Sequence, residues 1–178
     1  LVAKELALIS AKTELFVLNV SEEQLMAEGA QALTERYAME LRIPPSRLVV
    51  MSNKIESELA TLADEDRFAY LKELGLDRSG LDRLITAAYS SLHLQSFLTA
   101  GEKEVRAWTI KKGTVAREAA GVIHTDFERL MISAKVASYE DFVQYKGWKG
   151  VKEAGKMRTE GRDYVMNEGD VVEFLIGK

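Results

Sequence analysis

The stretch ELFVLNVSEEQLMAEGAQALTERYAMELRIPPSRLVVMSNK, residues 14–54, decides the fold class of this chain. It opens on a short apolar run, ELFVLN (14–19), that ends at the polar Asn19. That profile predicts a buried strand. Ser21, Glu22, Glu23 and Gln24 follow as an N-cap with an acidic first turn. Leu25, Leu33, Tyr37 and Leu41 then recur at multiples of four, with Met26 and Ala30 beside them, and predict one helix with a single apolar stripe. Pro44-Pro45 stops that helix, because proline lacks the N–H and clashes with the preceding turn. RLVVMS (47–52) predicts a second buried strand. Two strands joined through one helix are the pattern of a parallel α/β unit.

Working outward, helical patterns cover 54–62, 64–74 and 79–92, with Asp64 and Ser79 as caps and Gly75 as a C-terminal stop. Two strands are too few for an independent parallel sheet, so further strands are expected before Leu1. Leu1 reads straight into a helical pattern over 1–9 and is expected to be a cut or processed end. The segment 1–94 is then the weaker half, with a strand edge lacking partners.

From residue 94 the texture changes. Residues 95–99 and 104–110 alternate like strands around Gly101, predicting a hairpin. TVAREAAGVI (114–123) reads as a helix capped by Thr114. A strand at 130–136, a short helix at 138–144, and segments 164–166 and 171–176 around an Asn-Glu-Gly-Asp turn complete the order. Hairpin, helix and further strands make a β-grasp order, with the last strand expected beside the first.

Composition narrows the function. The 178 residues are 47% hydrophobic and 29% charged, which predicts packed, soluble domains. With no cysteine, thiolate zinc sites, disulfides and cysteine nucleophiles are excluded. The only histidines are His93 and His124, too few for a histidine-rich metal site. No apolar run is long enough to span a bilayer, and a cytoplasmic setting is expected. Residues 1–94 hold 10 Lys and Arg against 15 Asp and Glu, whereas the remainder hold 14 against 13. The two halves therefore suit different partners.

Five motifs bear on chemistry. GVKEAGKM (150–157) matches the spacing of a phosphate-binding loop, but Met157 stands where a metal-binding hydroxyl is required. Strand and helix are also missing on its two sides, so the match is a decoy and the chain alone has no site for phosphoryl transfer. Asn19, Val20 and Glu22 lie where a strand ends and a helix opens, the edge at which ligands bind in open α/β sheets. The same residues also suit an ordinary Ser-capped helix. Ser52, Asn53 and Lys54 occupy the equivalent place after the next strand, where Ser52 equally suits a helix cap. His124, Asp126 and Phe127 sit in a segment expected to be a loop, where binding or structure is a better reading than acid–base catalysis. Lys146, Lys149, Lys152, Lys156, Arg158 and Arg162 interleave with Tyr145 and Trp148. On a helix the first four would share one side, a surface suited to RNA phosphates and unstacked bases or simply a solvated face.

Six stretches together resemble the YchF family of Obg-like ATPases: FVLNVSEEQL (16–25), VVMSNKIESELATL (49–62), LKELGLDRSGLDRLITAAY (71–89), LTAGEKEVRAWTIKKGT (98–114), AAGVIHTDFERLMISAKV (119–136) and KEAGKMRTEGRDYVMNEGDVVEFL (152–175). The resemblance covers nearly the whole chain. It implies an α/β fold in which 1–94 is the end of a P-loop nucleotide-binding domain, with 1–9 the tail of a coiled-coil arm. Residues 95–178 would be a β-grasp (ubiquitin-like) TGS domain. The family reads its base with Asn-x-x-Glu in place of the Asn-Lys-x-Asp of ordinary GTPases, which falls here on Asn19 and Glu22. Displacing the usual Asp weakens its pairing with two guanine N–H groups, so ATP is expected over GTP. Ser52, Asn53 and Lys54 fall on the family's Ser-Ala-Lys loop, with Asn53 replacing Ala. The implied cofactor is ATP or GTP, its Mg²⁺ held by parts of the parent outside this chain. The implied partner is the ribosome or RNA, with no membrane and no DNA specificity. A protein-binding adaptor acting through the β-grasp sheet edge is the competing reading.

Overall fold

A computed structural model describes residues 8–101 and 104–177. Its Cα positions cluster into two compact units, residues 1–92 and 93–178.

In the first unit, β1 (Phe16–Asn19) and β2 (Leu48–Met51) pair in parallel, Phe16 opposite Leu48 and Asn19 opposite Met51. Both strands fall where the apolar runs place them, but β1 is not buried throughout. Phe16 and Leu18 turn toward the core, whereas Val17 and Asn19 stay exposed. β2 is buried along its whole length. The difference lies in what covers each strand. Helix α5 (Gly80–Ser91) packs on β2 so closely that a Cβ on Gly80 would come within 2.5 Å of the Met51 Cβ. On the same helix, Arg83 donates to the Val50 carbonyl at 2.9 Å, and burial pulls its pKa down.

The connection between the strands is two helices rather than one. They are α1 (Glu22–Glu28) and α2 (Ala30–Leu41), split at Gly29 with φ 81° and ψ 150°. That conformation is open almost only to glycine. The break also redirects the stripe. Leu25, Leu33 and Ala38 are buried, whereas Met26 and Leu41 emerge into solvent. Ser21 begins α1 with a full capping box, its hydroxyl accepting from the Gln24 N–H while the Gln24 side chain accepts from the Ser21 N–H.

Helices α3 (Asn53–Thr61) and α4 (Asp64–Glu73) complete the unit. Asp64 is the first residue of α4 and Ala63 holds the cap position, so the expected Asp64 cap is absent. Gly75, at φ 68°, does end α4. The Leu76 N–H reaches the Leu71 carbonyl and the Gly75 N–H the Lys72 carbonyl, satisfying two terminal acceptors. Ser79 caps α5 as read, and the Glu56 carboxylate takes the Gly80 and Leu81 N–H groups as well. The helix expected over 1–9 falls mainly on residues outside the described set; Ile9–Ala11 is a single 3-10 turn.

The second unit is a five-stranded sheet in the order β4 (Val105–Lys111), β3 (Leu94–Ala100), β7 (Asp170–Ile176), β5 (Met131–Ser138) and β6 (Arg158–Glu160). Strands β3 (Leu94–Ala100) and β4 (Val105–Lys111) form the hairpin, and β7 (Asp170–Ile176) lies parallel to β3. The last strand thus sits beside the first, as read. On its other side β7 pairs antiparallel with β5 (Met131–Ser138). The edge strand β6 (Arg158–Glu160), paired with β5, has no counterpart in the sequence reading because it is three residues long and strongly polar. Phe97, Ile110, Ala134, Val136 and Val172 meet α6 (Ala116–Ile123) in one core.

Thr114 does not cap α6. Val115 holds the cap position, and the carbonyls of Tyr164 and Arg162 accept from the Ala116 and Arg117 N–H groups at 2.7 and 3.1 Å. A distant backbone segment thus takes over the task that a local hydroxyl was expected to perform. Among the described residues, no helix is long and apolar enough to cross a membrane.

Candidate functional site

The C-terminal ends of β1 and β2 open into one cavity of about 490 Å³, lined by residues 19–24 together with Ser52 and Lys54. That is within the volume range of small-ligand sites. Its two halves are tied together by Asn19. The Asn19 Oδ1 accepts from the Asn53 backbone N–H at 2.9 Å. The Ser52 hydroxyl, buried at the cap position of α3, makes no capping bond. Asn19 therefore caps α3 from the neighbouring strand, and the expectation of a Ser52 side-chain cap is corrected. The Val20 N–H continues the pairing beyond β1, donating to the Met51 carbonyl at 2.9 Å. With Oδ1 directed to the Asn53 N–H, the two amide hydrogens on the Asn19 Nδ2 are the donors it offers a ligand.

Across the cavity mouth, the Lys54 Nζ contacts the Glu22 Oε2 at 2.6 Å. Glu58, one turn further along α3, lies 4.0 Å from the same ammonium. The Tyr70 hydroxyl, from α4, donates to the Glu58 carboxylate. The hydrogen bond and charge of Glu22 raise the Lys54 pKa above 10.5. The bond to Glu58, followed by burial, raises the Tyr70 pKa above 10.0. Lys54 thus enters the site as a bridge between carboxylates rather than as a free cation.

In the second unit, residues 124–127 do not form a loop. They open α7 (Thr125–Leu130), with the His124 Nδ1 accepting from the Asp126 N–H at 3.2 Å. His124 and Asp126 are exposed, but Phe127 packs against the core and is not a free contact. His and Asp at this spacing here serve a helix start.

The basic run does not lie along one helix. After helix α8 (Tyr139–Gln144), which Ser138 caps, helix α9 (Trp148–Glu153) is short, Lys146 precedes it at φ 59°, and Lys156 follows the turn at Gly155. Gly155 closes α9 as Gly75 closes α4, with the Lys156 N–H on the Val151 carbonyl. The phosphate-loop decoy is therefore a short helix and its stop. Trp148 donates its indole N–H to the Ala100 carbonyl at 2.9 Å and meets Phe142 edge to face at 5.1 Å. It is part of the packing, not an open stacking platform. Arg158 bonds the Tyr164 hydroxyl at 3.0 Å and lies 3.4 Å from both Glu160 and Asp170. Arg162 donates to the Glu128 carbonyl at 3.2 Å, and Lys156 approaches Asp141 at 3.9 Å. Lys146, Lys149 and Lys152 remain exposed.

Comparison with known proteins bears on both units. The family model YchF-GTPase_C, described as "Protein of unknown function (DUF933)", matches residues 94–177. The chain is 46% identical over 171 residues to the ribosome-binding ATPase YchF of Bacillus subtilis (strain 168), covering 96% of this chain and 47% of the relative. It is 40% identical over 167 residues to the Obg-like ATPase 1 of Pongo abelii, covering 93% and 42%. The structure of the Schizosaccharomyces pombe YchF GTPase superposes with a TM-score of 0.80 at 34% identity, covering 98% of this chain and 46% of that one. The chain belongs to the YchF/Obg-like ATPase family. It spans about half the length of the curated relatives it matches. Within this YchF-family chain, the sequence reading missed Glu58 and Tyr70. Glu58 was recoverable as the residue four places after Lys54 on one helix face. Nothing in the linear sequence brings Tyr70 to Glu58.

Proposed function

We propose that this chain carries the purine-base edge of a YchF-type ATPase together with a β-grasp TGS interaction module. The observation that carries the reading is the Asn19–Asn53 hydrogen bond, which joins two strand ends into one cavity and orients a side-chain amide beside it. Asn19 Nδ2 donates to purine N7, the Val20 backbone lies along the base, and Glu22 accepts from an exocyclic amino group. The chemistry of these donors suits a base. A triphosphate with Mg²⁺ calls for a Gly-rich loop with a hydroxyl, which belongs to segments other than those described, and hydrolysis of ATP or GTP belongs to the whole protein. Calorimetry on the full-length protein tests the base site. Asn19→Ala is expected to weaken ATP binding by up to about tenfold, the range set by loss of one directed hydrogen bond. Unchanged affinity would remove the assignment.

For the second unit, the TGS reading is supported by the hairpin, the crossing helix and the final strand lying parallel to the first. Its exposed Lys146, Lys149 and Lys152 are the phosphate contacts offered to RNA or the ribosome in the cytoplasm, with His124 and Asp126 on a separate exposed helix start. Binding through three such contacts is expected to weaken steeply with salt, with a log–log slope of about −2 on single-stranded RNA. One observation favours the adaptor alternative: β4 is an edge strand whose outward residues are largely exposed. Partner binding that ignores salt and is lost on proline substitution in β4 would decide for strand addition.

A further inference from the structure

We infer that Lys54 sets the preference for adenine over guanine, acting on the base through Glu22 as a positioning residue. The inference rests on the base-site reading above. Asn19 cannot discriminate the two purines by itself. Its Oδ1 already accepts from the Asn53 N–H, which directs that oxygen to the start of α3 and presents the amide hydrogens to the base. Its remaining donor meets N7, which adenine and guanine share. Discrimination therefore falls to Glu22 on the other side of the cavity.

The state of Glu22 is set by Lys54. The ammonium covers Oε2 at 2.6 Å and is itself steadied by Glu58, which Tyr70 holds from α4. Glu22 consequently keeps one oxygen, Oε1, clear of the ammonium, and its charge is partly offset by its partner. Guanine presents two adjacent donors, N1–H and the 2-amino group, which a free carboxylate accepts as a pair. With the ammonium drawing on one of the two oxygens, that paired acceptance is weakened. Adenine presents a single amino group beside the N1 acceptor. One carboxylate oxygen is enough for the amino group, and the nearby ammonium removes the repulsion that an uncompensated carboxylate would exert on the N1 lone pair.

The test is calorimetric titration of the full-length protein with ATP and with GTP in the presence of Mg²⁺, using Lys54→Met, Lys54→Arg and Asn19→Ala variants. Lys54 is well exposed, so neither substitution opens a cavity. Lys54→Met is expected to shift the ATP-to-GTP affinity ratio toward GTP by about tenfold. Lys54→Arg restores the ratio, because the guanidinium still pairs with Glu22. Asn19→Ala weakens both nucleotides together. A Lys54→Met protein that keeps the wild-type ratio, while Asn19→Ala still weakens both, overturns the role of Lys54 and leaves the base site standing. If Asn19→Ala alters neither affinity, the base site itself falls, and the role of Lys54 with it.

Discussion

Gly150→Ala is expected to destabilise the second unit by about 3 kcal/mol or more, although alanine ordinarily favours a helix over glycine by roughly 1 kcal/mol. Gly150 lies inside α9, and a Cβ there would sit 1.9 Å from the Tyr145 carbonyl oxygen and 2.9 Å from its carbon. The obstacle is backbone, so no rotamer change relieves it. Moving α9 would disturb Val151, which is fully buried, and Trp148, whose indole holds the Ala100 carbonyl. Gly155→Ala is the control. Gly155 has φ 67° but nothing within 4 Å of a built Cβ, so it carries only the left-handed penalty of about 1 kcal/mol. Urea unfolding of the two variants checks the difference. Equal stabilities would show that the close approach at Tyr145 is unimportant. Gly150 is also the first glycine of the phosphate-loop decoy, so its role here is packing.

Asp170→Ala should cost about 2–4 kcal/mol, the range for orphaning donors around a buried carboxylate. Asp170 starts the central strand β7 and is almost wholly buried. It accepts from the Asn167 N–H at 2.8 Å, the Tyr164 hydroxyl at 2.9 Å and Arg158 at 3.4 Å. The Tyr164 hydroxyl also accepts from Asn167 Nδ2 at 2.8 Å, so one network ties β6, the 161–169 segment and β7. Burial first, then the bond to Asp170, raises the Tyr164 pKa above its ordinary 10.0. The unfolded chain therefore releases the phenolic proton at lower pH than the folded one. The resulting stability is fully present below pH 10.0 and is lost as pH rises through the raised value. Chemical denaturation across that range should show the loss in the wild type and its absence in Tyr164→Phe. A wild-type-like midpoint for Asp170→Ala would exclude the network as a source of stability.

The parallel pairing of β1 with β2 was legible from two apolar runs separated by a helical stretch, because period and punctuation are local properties. So were the hairpin, the Ser21 and Ser79 caps and the glycine stop at Gly75. The split at Gly29 was not, since one glycine inside a helical pattern is compatible with either continuation or a break. The same limit explains the basic run. Regular spacing suggested one helical face, but the segment turns at Lys146 and again at Gly155, and its arginines engage Asp170 and the Glu128 carbonyl.

What the sequence by itself determined is the order of elements and the residues at the strand ends, since both follow from neighbours a few positions apart. Tertiary structure alone decided what those residues do to one another. Asn19 and Asn53 are 34 positions apart and Glu22 and Lys54 are 32 apart, yet each pair is within hydrogen-bonding distance. Parallel pairing of the strands places both loops at one edge of the sheet. That juxtaposition turns two ordinary helix starts into one cavity.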